Sequence, residues 1–216
     1  MLESLVIESA SKVNASIIWL HGLGANGNDF VPIVEELGIP GLRFILPHAP
    51  VRAVTINNGY EMRAWYDIYG LNNNCLQDES GIRSTEQQIA ALIAREREQG
   101  IPANRIVLAG FSQGGAISLQ TGLRHPEPLA GLLALSTYLP LESSLLSERH
   151  PANLGLPIFM AHGQFDSVIT LATGQSSKAL LASAGYPIEW HEYAMAHSVC
   201  AEEVEDIRGF LNRVLP

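Results

Sequence analysis

The segment RIVLAGFSQGGAISLQ, residues 105–120, sets a serine between glycines where an apolar run meets a helical pattern. Packing alone does not call for this, because Gly114 and Gly115 are poor residues with which to begin a helix. Gly110 to Gly114 reads G-x-S-x-G, the pattern of a tight, strained strand-to-helix turn that lifts a serine hydroxyl above the edge of a sheet. Ser112 is therefore the candidate nucleophile. A serine hydroxyl attacks poorly until a base takes its proton, and that base is usually a histidine held in one tautomer by a carboxylate. For a serine on such a turn the partners follow in the order Asp or Glu, then His. The apolar run PIFMAHG leads into QFDSV, which places Asp166 just beyond a strand, and IEWHEY leads into AMAHSVC, which places His197 just beyond the next. The competing readings are a helix cap or turn residue for Asp166 and a capping or core histidine for His197. Asp67 lies upstream of Ser112 and is out of order.

Acyl transfer also needs donors for a developing oxyanion, normally the amide after the nucleophile and a second from an early loop. Gln113 supplies the first. The early run SIIWL passes into HGLGANGNDF, whose glycines allow backbone amides to turn inward, and Leu23 is the candidate for the second. Read alone, this loop could also cradle a phosphate, but it lacks the Lys-Ser/Thr ending of a P-loop. Among the remaining histidines, His125 and His150 each precede a proline outside any strand-end loop and are expected at the surface. His162 and His191 fall within strands, where packed and hydrogen-bonded side chains are expected. Cys75 and Cys200, the only two cysteines, are too few for a disulfide framework and have no metal-like spacing. They are expected to be free thiols, and no metal site is expected.

These residues need a scaffold that brings distant loops to one edge. Seven strand candidates run along the chain: LVIES, SIIWLHG, LRFILP, RIVLAG, GLLALS, PIFMAHG and IEWHEY. All but the first and last are nearly continuous apolar runs, as in strands covered on both faces. Ile82, Ile89, Leu92 and Ile93 recur at helical spacing, and SSKALLASAG and AEEVEDIRGFLNRVL read the same way. The alternation predicts an α/β fold with a mostly parallel central sheet flanked by helices. Residues 1–216 form a single domain in this reading, since no repeat, low-complexity tract or linker interrupts them. Residues 47–77, rich in Asn, Pro and aromatic side chains, fit neither pattern, and so long a connection is more often functional than idle.

Composition removes several classes of function. Thirteen Lys and Arg stand against 22 Asp and Glu, a formal charge of −9, and no basic run interrupts it, so nucleic acid and anionic lipid are poor partners. The N-terminal MLESLVIESASK has no signal-peptide pattern and no apolar run reaches the roughly 18 residues of a membrane helix. No membrane insertion and a cytoplasmic location are expected.

The motifs together resemble the phospholipase/carboxylesterase group of α/β-hydrolases, which includes bacterial carboxylesterases, acyl-protein thioesterases and lysophospholipases. The resemblance covers nearly the whole chain and rests on HGLG at 21–24, PHAP at 47–50, MRAWYD at 62–67, GFSQGG at 110–115, LSTYLP at 135–140, HGQFDSV at 162–168 and AHS at 196–198. It implies an α/β-hydrolase fold, Ser112 as nucleophile, Asp166 as orienting carboxylate, His197 as general base, and the Leu23 and Gln113 amides as oxyanion donors. It further implies that residues around 65–76 wall an acyl groove, with Trp65, Leu71 and Tyr138 as substrate contacts; plain packing is the alternative for each. No cofactor is implied, and some members are dimers, so a homodimer is admitted. Two positions depart from the pattern: Thr137 stands where members often carry glycine, and Ala25 where they often carry aspartate. The expected activity is hydrolysis of aliphatic carboxylic esters through an acyl-serine, with small-molecule esters or thioesters as partners. The alternatives are a thioesterase or lysophospholipase as main activity, a peptidase or dienelactone-type hydrolase, and a non-catalytic binding protein on the same fold.

Overall fold

The computed structural model describes residues 2–70 and 76–216; Leu71 and Cys75 lie outside the described residues. In chain order the elements are β1 (Ser4–Glu8), β2 (Ala15–Leu20), α1 (Val31–Leu37), β3 (Leu42–Pro47), β4 (Val51–Val54), β5 (Tyr60–Arg63), α2 (Glu79–Glu98), β6 (Ile106–Phe111), α3 (Gln113–Arg124), β7 (Gly131–Leu135), α4 (Leu145–Glu148), β8 (Ile158–Gly163), α5 (Leu171–Ser183), β9 (Ile188–Tyr193) and α6 (Ala201–Val214). The described residues form a seven-stranded sheet in the order β1-β3-β2-β6-β7-β8-β9, and β4 and β5 form a separate hairpin. Only β1 runs antiparallel to its neighbour; the other six strands are parallel. This is the helix-flanked, mostly parallel sheet of the α/β-hydrolase fold.

Alternation along each strand divides the core in two. From β2 and β6, Ile18, Leu20, Ile106 and Leu108 pack beneath α2 and α3, meeting Ile82, Ile89, Ile117 and Leu123. Their neighbours Ile17, Trp19, Val107 and Ala109 face the other way, toward Val34 and Leu37 of α1 and Val204, Ile207 and Phe210 of α6. Each fully buried aliphatic or aromatic side chain contributes about 1.5–3 kcal/mol by leaving water. Both faces of the central strands are covered, so the sequence shows continuous apolar runs rather than alternation.

All seven strand candidates lie in the sheet. The short helices α1 and α4 and the β4–β5 hairpin went unpredicted. Helix α1 is two turns long, too short for a periodic signal, although Pro32 in its first turn and Gly38 at a left-handed C-cap (φ 55°) mark its ends. The β4–β5 hairpin lies inside the 47–77 segment, and its strands are largely exposed, so they carry no apolar run. Arg63 anchors it: its guanidinium donates to Ala49 O at 2.8 Å, and its carbonyl accepts from Gly24 N at 2.8 Å. The hairpin is thereby fastened to the loop after β2.

Because β2, β6, β7, β8 and β9 are parallel and adjacent, the loops leaving them gather at one edge of the sheet. That edge carries residues 21–24, 112, 136–138, 166 and 197.

Candidate active site

Strand β6 ends at Phe111 and α3 begins at Gln113, so Ser112 alone makes the turn, with φ 55° and ψ −122°. A non-glycine residue there carries backbone strain. The flanking glycines permit the tight turn by allowing close backbone approach. A Cβ on Gly110 would stand 2.3 Å from the backbone of Gly114, and one on Gly114 would stand 2.3 Å from Leu20 O. They permit strand, helix and the end of β2 to touch backbone to backbone, while the serine itself takes the positive φ. The strained peptide is tied down: Ser112 N donates to Leu135 O at 2.9 Å, and Ser112 O accepts from Ala116 N at 3.1 Å and from the Thr137 hydroxyl at 2.6 Å.

His197 and Asp166 come to the same point. His197 Nε2 lies 2.9 Å from Ser112 Oγ, and His197 Nδ1 lies 2.6 Å from Asp166 Oδ2. With Nδ1 facing a carboxylate, the ring proton belongs on Nδ1, which leaves Nε2 to accept from the serine. The Asp166 side chain is wholly buried. Its other oxygen accepts from the amides of Val168 at 2.8 Å and Ile169 at 2.9 Å, which compensates the lost hydration. The two loops are joined through their backbones, since Gln164 N donates to Tyr193 O and Phe165 N to Met195 O. Gly163 makes this possible, because a Cβ there would lie 2.2 Å from Ala196 O. The Phe111 ring packs 4.6 Å from the imidazole, centroid to centroid. His162, buried as expected, donates from Nε2 to Ile169 O at 2.8 Å and so steadies the turn that holds Asp166.

The turn after β2 also reaches the serine. A Cβ on Gly22 would meet the Phe111 ring at 3.2 Å and Ser112 Cβ at 3.5 Å, so Gly22 lies against the Ser112 side chain. Gln113 is the first residue of α3, where amides have no acceptor within the helix. Its side chain clamps the irregular segment: Oε1 accepts from Trp65 N at 2.8 Å and Nε2 donates to Tyr66 O at 2.7 Å. His21 is fully buried, and burial pushes its imidazole down to about 4, so it is neutral at ordinary pH.

Of the three expected substrate contacts, Trp65 takes the packing role. It is fully buried, and its indole N–H donates to His21 O at 2.8 Å. Tyr138 is partly exposed; its hydroxyl meets that of Tyr66 at 2.6 Å, and it lines a cavity of about 580 Å³ together with Leu76, Val168, Ile169 and Leu180. Leu71 lies outside the described residues. Of the histidines expected at the surface, His125 is buried, and burial lowers its pKa. His191, expected to be packed and hydrogen-bonded, stacks on Phe159 and Tyr193 and bonds Glu189 at 3.0 Å while keeping one part-exposed edge near Asp206. The supporting parts that sequence reasoning missed are the Thr137 hydroxyl, the His21 ring and the Gln113 side chain. Each acts on the backbone of a distant loop, and no local pattern announces that.

The sequence profile of the phospholipase/carboxylesterase family matches residues 2–215. The chain belongs to that family. Among this hydrolase's relatives, acyl-protein thioesterase 1 of Mycosarcoma maydis is 39% identical, the match covering 100% of the chain and 98% of the relative. Acyl-protein thioesterase 1 of Neurospora crassa is 38% identical over 98% and 91%. The crystal structure of Zea mays acyl-protein thioesterase 2 superposes with a TM-score of 0.91 at 26% identity, covering both chains completely. Arabidopsis thaliana SOBER1 gives a TM-score of 0.89 at 31% identity, covering 94% of this chain and 99% of that one. Ester or thioester hydrolysis is the chemistry of this family. No helix among the described residues is long and apolar enough to cross a membrane.

Proposed function

We propose that this hydrolase is a serine carboxylesterase of aliphatic acyl esters, acting through an acyl-serine with no cofactor. The observation that carries the reading is the unbroken chain from a strained serine through one imidazole to a buried carboxylate, at 2.9 and 2.6 Å. His197 Nε2 takes the Ser112 proton as Oγ attacks the carbonyl carbon, and Asp166 holds the ring and stabilises the imidazolium. The amides of Leu23 and Gln113 receive the oxyanion. As the tetrahedral species collapses, His197 returns its proton to the leaving oxygen or sulfur. Water then attacks the acyl-serine with the same imidazole as base, and the carboxylic acid leaves.

The cavity beside Tyr138 and Val168 accepts the aliphatic part of the substrate. Its volume of about 580 Å³ is that of a small-molecule pocket, within roughly 300–1,000 Å³. A second reading, thioester hydrolysis as the main activity, is favoured by the relatives at 38–39% identity that are named acyl-protein thioesterases. Measuring kcat/KM on p-nitrophenyl esters from acetate to palmitate and on a palmitoyl thioester, with Ser112→Ala as control, decides between them. A maximum among the oxygen esters supports the esterase reading, and a maximum at the thioester supports the second. Wild-type turnover no greater than that of Ser112→Ala on every substrate would refute both.

A further inference from the structure

The two amides assigned to the oxyanion belong to two peptide units, Gly22–Leu23 and Ser112–Gln113. In a planar trans peptide the C=O and the N–H point in opposite directions, so holding the carbonyl aims the amide. Both carbonyls are held from behind by a buried side chain. His21 Nδ1–H donates to Gly22 O at 2.7 Å, and the Thr137 hydroxyl donates to Ser112 O at 2.6 Å. His21 is fully buried and Thr137 nearly so. Each carbonyl also has one backbone donor, Ala25 N at 3.3 Å for Gly22 O and Ala116 N at 3.1 Å for Ser112 O. The side-chain donor is the shorter of the two bonds in both cases.

From this matched arrangement we infer that His21 and Thr137 are positioning residues for the oxyanion hole, each aiming one donor amide through the carbonyl of the same peptide. The inference rests on Ser112 as nucleophile and on Leu23 and Gln113 as donors. His21 is fixed for the task at three points, two on the ring and one on its backbone. Its Nε2 accepts from Ala49 N at 3.0 Å, its Nδ1 faces Gly22 O, and its own carbonyl accepts from the Trp65 indole at 2.8 Å. An acceptor role at Nε2 and a donor role at Nδ1 require the neutral imidazole, and burial keeps it neutral. The Gln113 side chain, bonded to Trp65 N, ties the two units into one frame. Thr137 gives this chain a hydroxyl that a glycine at the same position would not supply. Its methyl side meets Gly115, where a Cβ would lie 2.8 Å away, so the hydroxyl has little freedom to turn elsewhere.

The test uses four variants of the intact protein: Thr137→Val, Thr137→Ser, His21→Asn and His21→Gln. Each is assayed for kcat and KM on p-nitrophenyl butyrate and for inhibition by an alkyl trifluoromethyl ketone. The ketone forms a serine hemiketal and so places an oxyanion in the hole. Removing an oxyanion donor costs about 10²–10³-fold in kcat, and misaiming one costs less, so Thr137→Val is expected to lower kcat and ketone affinity together by roughly tenfold. KM stays within about twofold, because the contact is made in the transition state. Thr137→Ser, which keeps the hydroxyl, restores most of both. Asparagine puts an N–H near the place of Nδ1 and glutamine near that of Nε2, so His21→Asn retains more ketone affinity than His21→Gln. A role confined to folding would give the reverse order or none, since the bond to Ala49 would matter as much. Thr137→Val binding the ketone as tightly as an active wild type overturns the inference alone, as does a loss confined to KM. A wild type that neither turns over the ester nor binds the ketone overturns the serine-hydrolase reading and the inference with it.

Discussion

Replacing Ser112 by alanine and by glycine separates what the turn costs from what it does. Both variants delete the hydroxyl and its 2.9 Å bond to His197, so that loss cancels in the comparison. Alanine keeps a Cβ at φ 55° and ψ −122°, a sparsely populated conformation that costs a non-glycine residue about 1–3 kcal/mol. Glycine removes the strain but adds about 0.5–1 kcal/mol of chain entropy to be lost on folding. The difference leaves Ser112→Gly more stable than Ser112→Ala by about 1 kcal/mol. For a chain of 216 residues this is a rise in Tm of roughly 2–4 °C. Differential scanning calorimetry, with urea unfolding at constant m as a cross-check, measures it directly. Equal stabilities, or a less stable glycine variant, would show that position 112 is unstrained and that the turn is imposed at no cost.

Two further predictions concern carboxyl groups. Asp166→Asn keeps the shape of the buried turn but cannot accept the Nδ1 proton in the same way, so the ring is free to take the wrong tautomer; kcat on p-nitrophenyl butyrate should fall by about 10³–10⁴ with KM little changed. Activity within tenfold of wild type would remove Asp166 from the reaction. Glu203, in the first turn of α6, is fully buried, and among the described residues neither of its carboxyl oxygens has a hydrogen-bond partner. Burial raises its pKa to about 8, with Asp206 adding to the effect and the facing Cys200 amide opposing it. The sign follows from proton binding: between about pH 4.5 and 8 the folded state keeps a proton that the unfolded state has released, so stability falls as pH rises through this window. Glu203→Gln should match wild type in urea unfolding at pH 5 and exceed it at pH 8 by on the order of a few kcal/mol. An identical pH dependence in the two proteins would show that Glu203 is ionised in the fold.

How much of this was legible beforehand depends on what kind of constraint each residue satisfies. The parallel strands could be read because burial on both faces forces unbroken apolar runs, and Ile106–Phe111 or Ile158–Gly163 cannot avoid showing one. Ser112, Asp166 and His197 could be read because each must leave a different strand at the same edge, which fixes their order along the chain. The short α1 and the exposed β4–β5 hairpin left no comparable trace. They are held by caps and by single bonds such as that from Arg63 to Ala49 O, not by a pattern.

The glycines show most clearly where reading a sequence stops. The G-x-S-x-G pattern located the turn, but backbone freedom explains it only in part, because the unusual torsion belongs to Ser112 while Gly110 and Gly114 are required by close approach. A missing side chain leaves a mark in the sequence that any reader can find. A side chain that holds a carbonyl leaves none: His21 stands in a glycine-rich run and bonds the carbonyl of its own neighbour, Thr137 stands among ordinary strand-end residues and bonds one 25 positions away, and both end within 2.7 Å of the Gly22 and Ser112 carbonyls. The candidate reactive groups are therefore the easier part to find by sequence. The rigidity that makes their geometry useful is spread over bonds between segments as far apart as residues 112 and 137, and it becomes visible only when the chain is folded.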